Sequence, residues 1–387
     1  MLELPITGCK DAPIPISEAQ LDDLRRLVLR TINKNQVLVL NHIPKVPASI
    51  TSVLREISRK YHVPLSTLKR NAQILRDLKL ISYGEAPNFS GVELTELGRF
   101  ISGLTGNEEP TILTNIVQTR DGMRTLGVLI KDLRKKVLRM IAEAGSGHLG
   151  ASLSIVDILA ILYFLKMKHD PNNPEWLDRD RLVLSKGHAA PALYAVLSEA
   201  GYIPNQELSK LRLLGSSLPG HPEIETPGVD ASTGSLGQGL SMGIGMALAA
   251  KMDKAKHKVY VIVGDGELNE GQIWEAALTA AHYRLDNITV IVDRNCYQLT
   301  GSTEKVKPVE PVTDKWAAFG WEVFTTDGHN PTTILDALEK CDMTIGKPSV
   351  VIAHTTKGKG ISFMEGNKYS RKTPNAEELE RALSELT

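Results

Sequence analysis

Cysteine is scarce in this chain, and charge of one sign is not in excess. Three cysteines among 387 residues, Cys9, Cys296 and Cys341, are scattered and odd in number. That argues against a disulfide framework or a cysteine zinc site and for a reducing compartment, the cytoplasm. Lys plus Arg equals Asp plus Glu at 45 each, so net charge names no partner, and any basic surface is local. No apolar run reaches the roughly 18 residues of a membrane span, so no membrane is expected. The start, MLELPITGCKDAPIPISEAQ, lacks the basic-then-apolar order of a secretory signal. Internal repeats and low-complexity tracts are missing too. What is present is a globular composition, 42% hydrophobic, in a chain too long for one small core. Two or more domains are expected.

Two regions follow different rules, with LTGNEEPTILTN at 104–115 as the best linker between them; the expected domains are 1–115 and 116–387. In the first, Leu21, Leu24, Leu27 and Val28 recur at helical spacing, and Ile50 to Tyr61 makes a short helix. His62-Val63-Pro64 breaks it, because a proline pushes its predecessor out of helical geometry. A second helix starts near Ser66 as N-cap and buries Leu68, Leu75 and Leu78. Ile81 to Gly84 and Val92 to Leu94 pair as a two-stranded wing, and TELGRFISGL closes the module with another helix. This order resembles a winged helix-turn-helix. Between Ile50 and Ser82 seven Lys/Arg face only Glu56 and Asp77. Lys69, Arg70, Asn71 and Gln73 fall near the exposed start of the second helix, where such modules touch a major groove of DNA. A solvated face on a docking module carries the same charges, and the sequence leaves the two readings open.

Beyond the linker, short β-branched runs (Arg181–Leu184, Val259–Val263, Ile288–Val292, Val350–Ala353) alternate with helical stretches. They predict an α/β fold: a doubly wound, mostly parallel sheet with helices on both faces. The most informative segment is VYVIVGDGELNEGQIWEAALTAAHYRLDNITVIVDRN. A strand ends at Val263, Gly264-Asp265-Gly266 turns sharply, Gly271 to Arg284 is helical, and a second strand ends at Asp293. A right-handed crossover makes the two strands parallel, which brings Asp265 and Asn295 together at the carboxyl edge where such sheets bind ligands. Hard oxygen donors there suit Mg²⁺, which completes its octahedron with phosphate oxygens and water. Asp265 supplies a carboxylate, Asn295 an amide oxygen and Tyr297 its backbone carbonyl, while Gly264 and Gly266 admit a diphosphate. GDG alone is an ordinary turn; GDG, 28 residues and Asn with strand-helix-strand between them is specific.

That segment resembles the thiamine-diphosphate signature of the transketolase and 2-oxoacid dehydrogenase superfamily. Three histidine turns select the transketolase branch: Gly147-His148-Leu149-Gly150, similar to its SGHPG turn; Ser185-Lys186-Gly187-His188, similar to L-S-x-G-H; and Gly220-His221-Pro222-Glu223 followed by TGSLGQG. The resemblance covers about residues 120 to 365. It implies that His148, His188 and His221 face the reacting centre, bind sugar hydroxyls and the diphosphate, and move protons. It further implies that Gly234 and Leu236 line the cofactor rings, that Leu299 lies beneath, and that Glu267 joins the cofactor set. Glu270 and Glu275 match acidic residues at the family's subunit interface; a solvated helix start explains them equally. One departure stands out. After KGKG, related short chains carry Trp-His where this one has Tyr369-Ser370, so Lys368 or Arg371 supplies the charge, or acceptor preference or activity differs.

The resemblance implies transfer of a two-carbon ketol unit from a ketose phosphate to an aldose phosphate, with thiamine diphosphate and Mg²⁺. The family places the glutamate that activates the cofactor, and the sugar-phosphate arginines, in a second domain for which 387 residues leave no room. A C-terminal partner subunit is therefore expected, two copies of each chain assembling. Two other readings compete: a DNA-binding regulator that senses thiamine diphosphate or a sugar phosphate, and a related carboligase with an unusual donor sugar.

Overall fold

The computed structural model describes residues 34–43, 49–61, 63, 65–77, 80–83, 92–95, 102, 120–366, 369 and 372–386. They fall into two compact units, Met1–Ile112 and Leu113–Thr387. In the first, helices α1 (Lys34–Asn41), α2 (Ile50–Tyr61) and α3 (Leu65–Asp77) precede strands β1 (Ile81–Ser82) and β2 (Glu93–Leu94). The strands pair antiparallel, Ile81 opposite Leu94. Leu38, Leu40, Val53, Leu54, Ile57, Leu68, Leu75 and Ile81 form one core, which explains the apolar spacing of α2 and α3. The helix starts at Leu65, so Ser66 sits inside its first turn and not at the cap. Asn71 faces inward: its side chain is 7% exposed and its amide donates to the Thr67 carbonyl at 2.9 Å. It is therefore not on the exposed face with Lys69 and Gln73, which are exposed. The opening helix around Leu21, Leu78, the side chain of Arg70 and nearly all of TELGRFISGL lie outside the described residues.

In the second unit, period-two alternation builds the sheet. Strands β3 (Arg181–Leu184), β4 (Val259–Gly264), β5 (Ile288–Arg294), β6 (Glu322–Asp327) and β7 (Ser349–His354) are all parallel, in the order β3-β4-β5-β7-β6. Leu182, Leu184, Tyr260, Ile262, Ile291 and Val351 enter one core. Their neighbours Val183, Val259, Val261, Val263, Val290, Val292, Val350 and Ile352 enter the other. Successive side chains point to opposite faces, and with helices over both, neither face can be polar. One face is covered by α4 (Arg120–Ala144), α5 (Leu149–Leu153), α6 (Val156–Ile161) and α7 (Ala190–Glu199). The other carries α8 (Gln238–Met252), α9 (Gly271–His282) and α10 (Val312–Ala318), with Trp316 fully buried. Helix α11 (Pro331–Met343) packs under β6 and β7, and α12 (Ala376–Glu385) closes against α4. No helix among the described residues is long and apolar enough to cross a membrane.

Candidate active site

Lys186, Asp265, Asp293, Asn295 and Lys357 gather at the carboxyl edge of this sheet. Register places Gly264 beside Asp293, so the chain leaves β4 and β5 at the same level. The Asp265 amide then donates to the Asp293 carbonyl at 3.2 Å. The Asp265 carboxylate is 1% exposed. Its Oδ2 accepts from Cys296 N at 2.6 Å and Arg294 Nη1 at 2.9 Å, its Oδ1 from Gly266 N at 2.8 Å. Asp265 is thus fastened to the residue that follows Asn295, as the crossover predicts. Burial, seconded by the Asp293 charge, pushes its carboxyl up to about 6 even though Arg294 pulls the other way. Asn295 donates Nδ2 to Asp293 Oδ2 at 2.7 Å, which orients its amide oxygen to the opposite side, near Tyr297 N at 3.1 Å. Among the described residues no three His, Cys, Asp or Glu side chains form a metal cluster. A carboxylate and an amide oxygen stand at the same edge instead, donors of the hard type that suits a cation keeping phosphate and water ligands.

Beneath that edge lies a buried ion pair that sequence reading missed. Lys186 Nζ contacts Asp293 Oδ2 at 2.5 Å and donates to the Ala151 carbonyl at 2.9 Å. Asp293 also accepts from Ser154 Oγ at 2.7 Å and from Thr355. Burial pushes the Asp293 carboxyl up, but the Lys186 ammonium and these hydrogen bonds hold it below its ordinary range. Each residue is visible in the sequence, a lysine inside the word LSKGH and an acid ending an apolar strand, but nothing local joins the two.

The three histidine turns converge. The rings of His148 and His188 meet edge-on, centroids 5.0 Å apart. Burial, then the charges of Lys186, His148, Lys357 and His221, pushes His188 down to about 3, so it is neutral throughout the physiological range. A Cβ on Gly234 would lie 3.2 Å from the His221 ring, so glycine there lets TGSLGQG run against the GHPE turn. Gly237 caps α8 at φ +88°, a backbone region that side chains disfavour. Glu267 ties these loops together: its carboxylate accepts from Ser185 Oγ at 2.5 Å, Gly237 N at 2.7 Å and Gly264 N at 3.0 Å. The Glu267 carboxylate thus holds these loops in place. Leu236 is half-buried and Leu299 44% exposed, while Glu270 and Glu275 are exposed at the start of α9.

KGKG supplies one cation at this edge. Lys357 is 6% exposed, with Nζ 3.3 Å from the Gln298 carbonyl and 6.0 Å from the centre of the Tyr297 ring. Burial first, then Lys186, lowers its ammonium to about 8. Beside it the Gln298 Nε2 is buried with no hydrogen-bond partner, and a Cβ on Gly266 would meet that side chain at 2.9 Å. A depressed ammonium and an orphaned amide donor, next to a glycine turn, fit an anionic diphosphate. Tyr369 does something else: its hydroxyl donates to Glu378 at 2.8 Å and its carbonyl accepts from Gly150 N at 3.2 Å. It fastens the segment to α12 and to the His148 turn; Lys368, Ser370 and Arg371 lie outside the described residues.

His329 positions the Lys357 loop. Thr356 N donates to its Nε2 at 2.7 Å, so that nitrogen carries no proton, and Nδ1–H donates to Asp157 Oδ2 at 2.8 Å. Asp157 is also paired with Arg134. Replacing His329 with alanine leaves the Thr356 N–H without its acceptor and is expected to cost about 1–3 kcal/mol of stability. It should also weaken diphosphate binding. Thermal unfolding with calorimetry checks this, and unchanged cofactor affinity would show that the loop keeps its place without the ring.

Known proteins share this sequence pattern and fold. Residues 127–384 match the family described as "Transketolase, thiamine diphosphate binding domain". The chain is 50% identical over 251 residues to SqwG of Clostridium sp. (strain MSTE9), a subunit of a 6-deoxy-6-sulfo-D-fructose transketolase, covering 65% of this chain and 91% of that one. It is 45% identical over 266 residues to one subunit of the apulose-4-phosphate transketolase of Phocaeicola vulgatus, covering 68% and 95%. Among solved structures it is similar to the transketolase of Campylobacter jejuni, with a TM-score of 0.65 and 38% identity over 68% of this chain. It spans 43% of that longer protein. A parallel sheet whose edge joins Asp265, Asn295, Lys357 and three histidines, matched over most of the second unit by one family, places the chain in the transketolase family as a bearer of its thiamine-diphosphate-binding domain.

Proposed function

We propose that this chain is the cofactor-binding subunit of a two-chain transketolase, passing a two-carbon ketol unit from a ketose phosphate to an aldose phosphate. The observation that carries this is the meeting of His148, His188 and His221 with Lys357 at the edge that holds Asp265 and Asn295. Bound thiamine diphosphate supplies a nucleophilic carbanion and an electron sink for breaking the bond between C2 and C3 of a ketose. Asp265 Oδ1, Asn295 Oδ1 and the Tyr297 carbonyl hold Mg²⁺. Lys357, Gln298 Nε2 and the backbone at Gly264 and Gly266 hold the diphosphate, and Gly234, Leu236 and Leu299 line the rings. His188, kept neutral by burial and by surrounding cations, offers a ring nitrogen to a substrate hydroxyl. With His148 and His221 it steadies the sugar hydroxyls, and the set as a whole helps move the proton released from the C3 hydroxyl as that bond breaks.

A partner chain completes the site, on the support of two relatives named as transketolase subunits and covered over 91% and 95% of their lengths. Exposed Glu270 and Glu275 are offered to it, and the assembly holds two copies of each chain. The test is reconstitution. The purified chain alone should give no ketol transfer and should gain it on mixing with a C-terminal transketolase subunit; robust turnover by the isolated chain would contradict the split site. The substrates for which those two relatives are named, a sulfonated ketose and apulose 4-phosphate, favour a second reading within the same chemistry, an unusual donor sugar. The first domain, 1–115, is proposed as a winged helix on the support of α2, α3 and the β1-β2 hairpin, with Lys69, Arg70 and Gln73 as DNA contacts; a salt-dependent gel shift tests it. The exposed free thiol of Cys296 supports a reducing, cytoplasmic setting.

The Lys357 ammonium sets a pH dependence. Only its protonated form attracts the diphosphate, and its free-state value is about 8. Above about pH 7, where Asp265 is ionised, cofactor affinity should stay level to about pH 7.5 and fall on the order of 10-fold by about pH 9.5. His188 contributes nothing to this window, being neutral throughout it. Calorimetry across pH checks it, and Lys357→Met should flatten the profile.

A further inference from the structure

His148 and His221 stand on separate turns, and one side chain lies against both. Arg212 has a left-handed backbone, φ +62°, where a residue with a Cβ is uncommon and often marks a functional constraint. Its amide donates to the Leu218 carbonyl at 2.8 Å. Its guanidinium rests on Gly220, the residue before His221: a Cβ there would lie 2.8 Å from Nε and Nη2. Nη1 donates to Ser146 Oγ at 3.3 Å, and Ser146 opens the turn that ends in His148. Arg134, Arg179, Arg181 and Arg294 pair with carboxylates. Arg212 forms no ion pair among the described residues, and its Nε and Nη2 have no hydrogen-bond partner there. His148 and His188 are half-buried, whereas His221 and Arg212 are exposed. The row therefore runs outward from the diphosphate end, and Arg212 stands at its outer end.

Resting on the transketolase reading, we propose that Arg212 is a specificity residue of the sugar site, grasping through Nε and Nη2 the terminal tetrahedral oxyanion, phosphate or sulfonate, of the sugar. The planar fork matches two oxygens of such a group at once. The glycine beneath it gives the guanidinium room to lie flat. The backbone strain is what aims it across the two histidine turns. A sugar whose hydroxyls lie along the histidines has its far end there. Partner-chain residues then share the anion instead of holding it alone.

The experiment uses the reconstituted two-chain complex with Arg212, Arg212→Lys and Arg212→Met. Three donors are compared: D-fructose 6-phosphate, 6-deoxy-6-sulfo-D-fructose and D-fructose. The ratio of kcat/KM for an anionic donor over the neutral one should fall about 10-fold or more in Arg212→Met, chiefly through KM, with partial rescue in Arg212→Lys. The phosphate and sulfonate arms show which oxyanion the fork prefers. An equal fall for charged and neutral donors, leaving the ratio untouched, would mean that Arg212 only braces the turns and overturns the proposal; so would no change at all. Should the unaltered complex bind thiamine diphosphate and transfer nothing, the transketolase reading fails, and the same sugars titrated onto it by calorimetry decide the contact. Weaker binding of the anionic sugars to Arg212→Met supports it, and equal binding overturns it.

Discussion

Replacing Asp265 with alanine is expected to abolish magnesium-assisted uptake of thiamine diphosphate. The loss should be roughly 100-fold or more, since removing even an outer-shell partner of a metal ligand costs about 10–100-fold. The proposed cation has one carboxylate, and the buried carboxylates nearest to it are committed elsewhere. Glu267 is locked to Ser185, Gly237 and Gly264, and Asp293 is spent on Lys186, Ser154, Thr355 and Asn295. Alanine also releases Cys296 N and Arg294, although Arg294 keeps Glu304 at 3.0 Å and Glu310 at 2.8 Å. The turn itself could then shift. Asp265→Asn separates the two effects. The amide oxygen can still accept from Cys296 N and Arg294, though the Gly266 N bond to the other oxygen is lost, and the negative charge that Mg²⁺ requires is gone. If the cation is what holds the diphosphate, both variants lose the magnesium dependence of binding, and asparagine loses it with a smaller fall in melting temperature than alanine. Calorimetric titrations with and without Mg²⁺ measure this. Unaltered uptake by either variant would remove the basis for the metal assignment.

How much of this site could be read without coordinates depends on the distance along the chain over which a contact acts. Strands β3, β4, β5 and β7 are legible because burial on both faces forces unbroken β-branched runs. The edge strand β6, Glu322–Asp327, is not, because EVFTTD is only partly covered and reads as a polar loop. The crossover rule brings Asp265 to Asn295, and the order of three histidine turns brings those rings together, because each inference needs only local geometry and topology. Ion pairs between remote segments obey no spacing rule. Lys186 and Asp293 are 107 positions apart and His329 and Asp157 are 172 apart, so nothing local announces them. Lys357 escapes notice for a related reason: KGKG reads as a solvated basic turn until the fold buries one of its lysines. Asn71 shows the limit within a single helix. Its polarity suggests an outward face, but a bond back to the Thr67 carbonyl one turn earlier lets it sit inside.

The largest stability effect is expected at Lys186. Both members of its pair with Asp293 are almost wholly enclosed, at 2% and 0% side-chain exposure. Replacing Lys186 with methionine keeps most of the apolar stem and removes the ammonium, leaving Asp293 charged in a dry interior. Breaking one side of a buried pair costs about 3–5 kcal/mol, against a total of about 5–15 kcal/mol for a typical domain. The variant should also acquire a pH signature that the unaltered chain lacks. With Lys186 present the Asp293 carboxyl is held below its ordinary range, which contributes stability above that range and loses it as pH falls. With Lys186 gone, only the hydrogen bonds of Ser154, Thr355 and Asn295 oppose burial; the carboxyl is expected to rise above its unfolded value, so the sign reverses and the deficit should narrow as pH falls and the acid takes up a proton. Asp293→Asn in the same background should recover part of the loss, because a neutral amide leaves no uncompensated charge and its oxygen can still accept from the Asn295 Nδ2. Denaturant unfolding midpoints across pH measure all three variants. A cost below about 1 kcal/mol for Lys186→Met, in the range of an exposed pair, would show that this ion pair does not hold the carboxyl edge together.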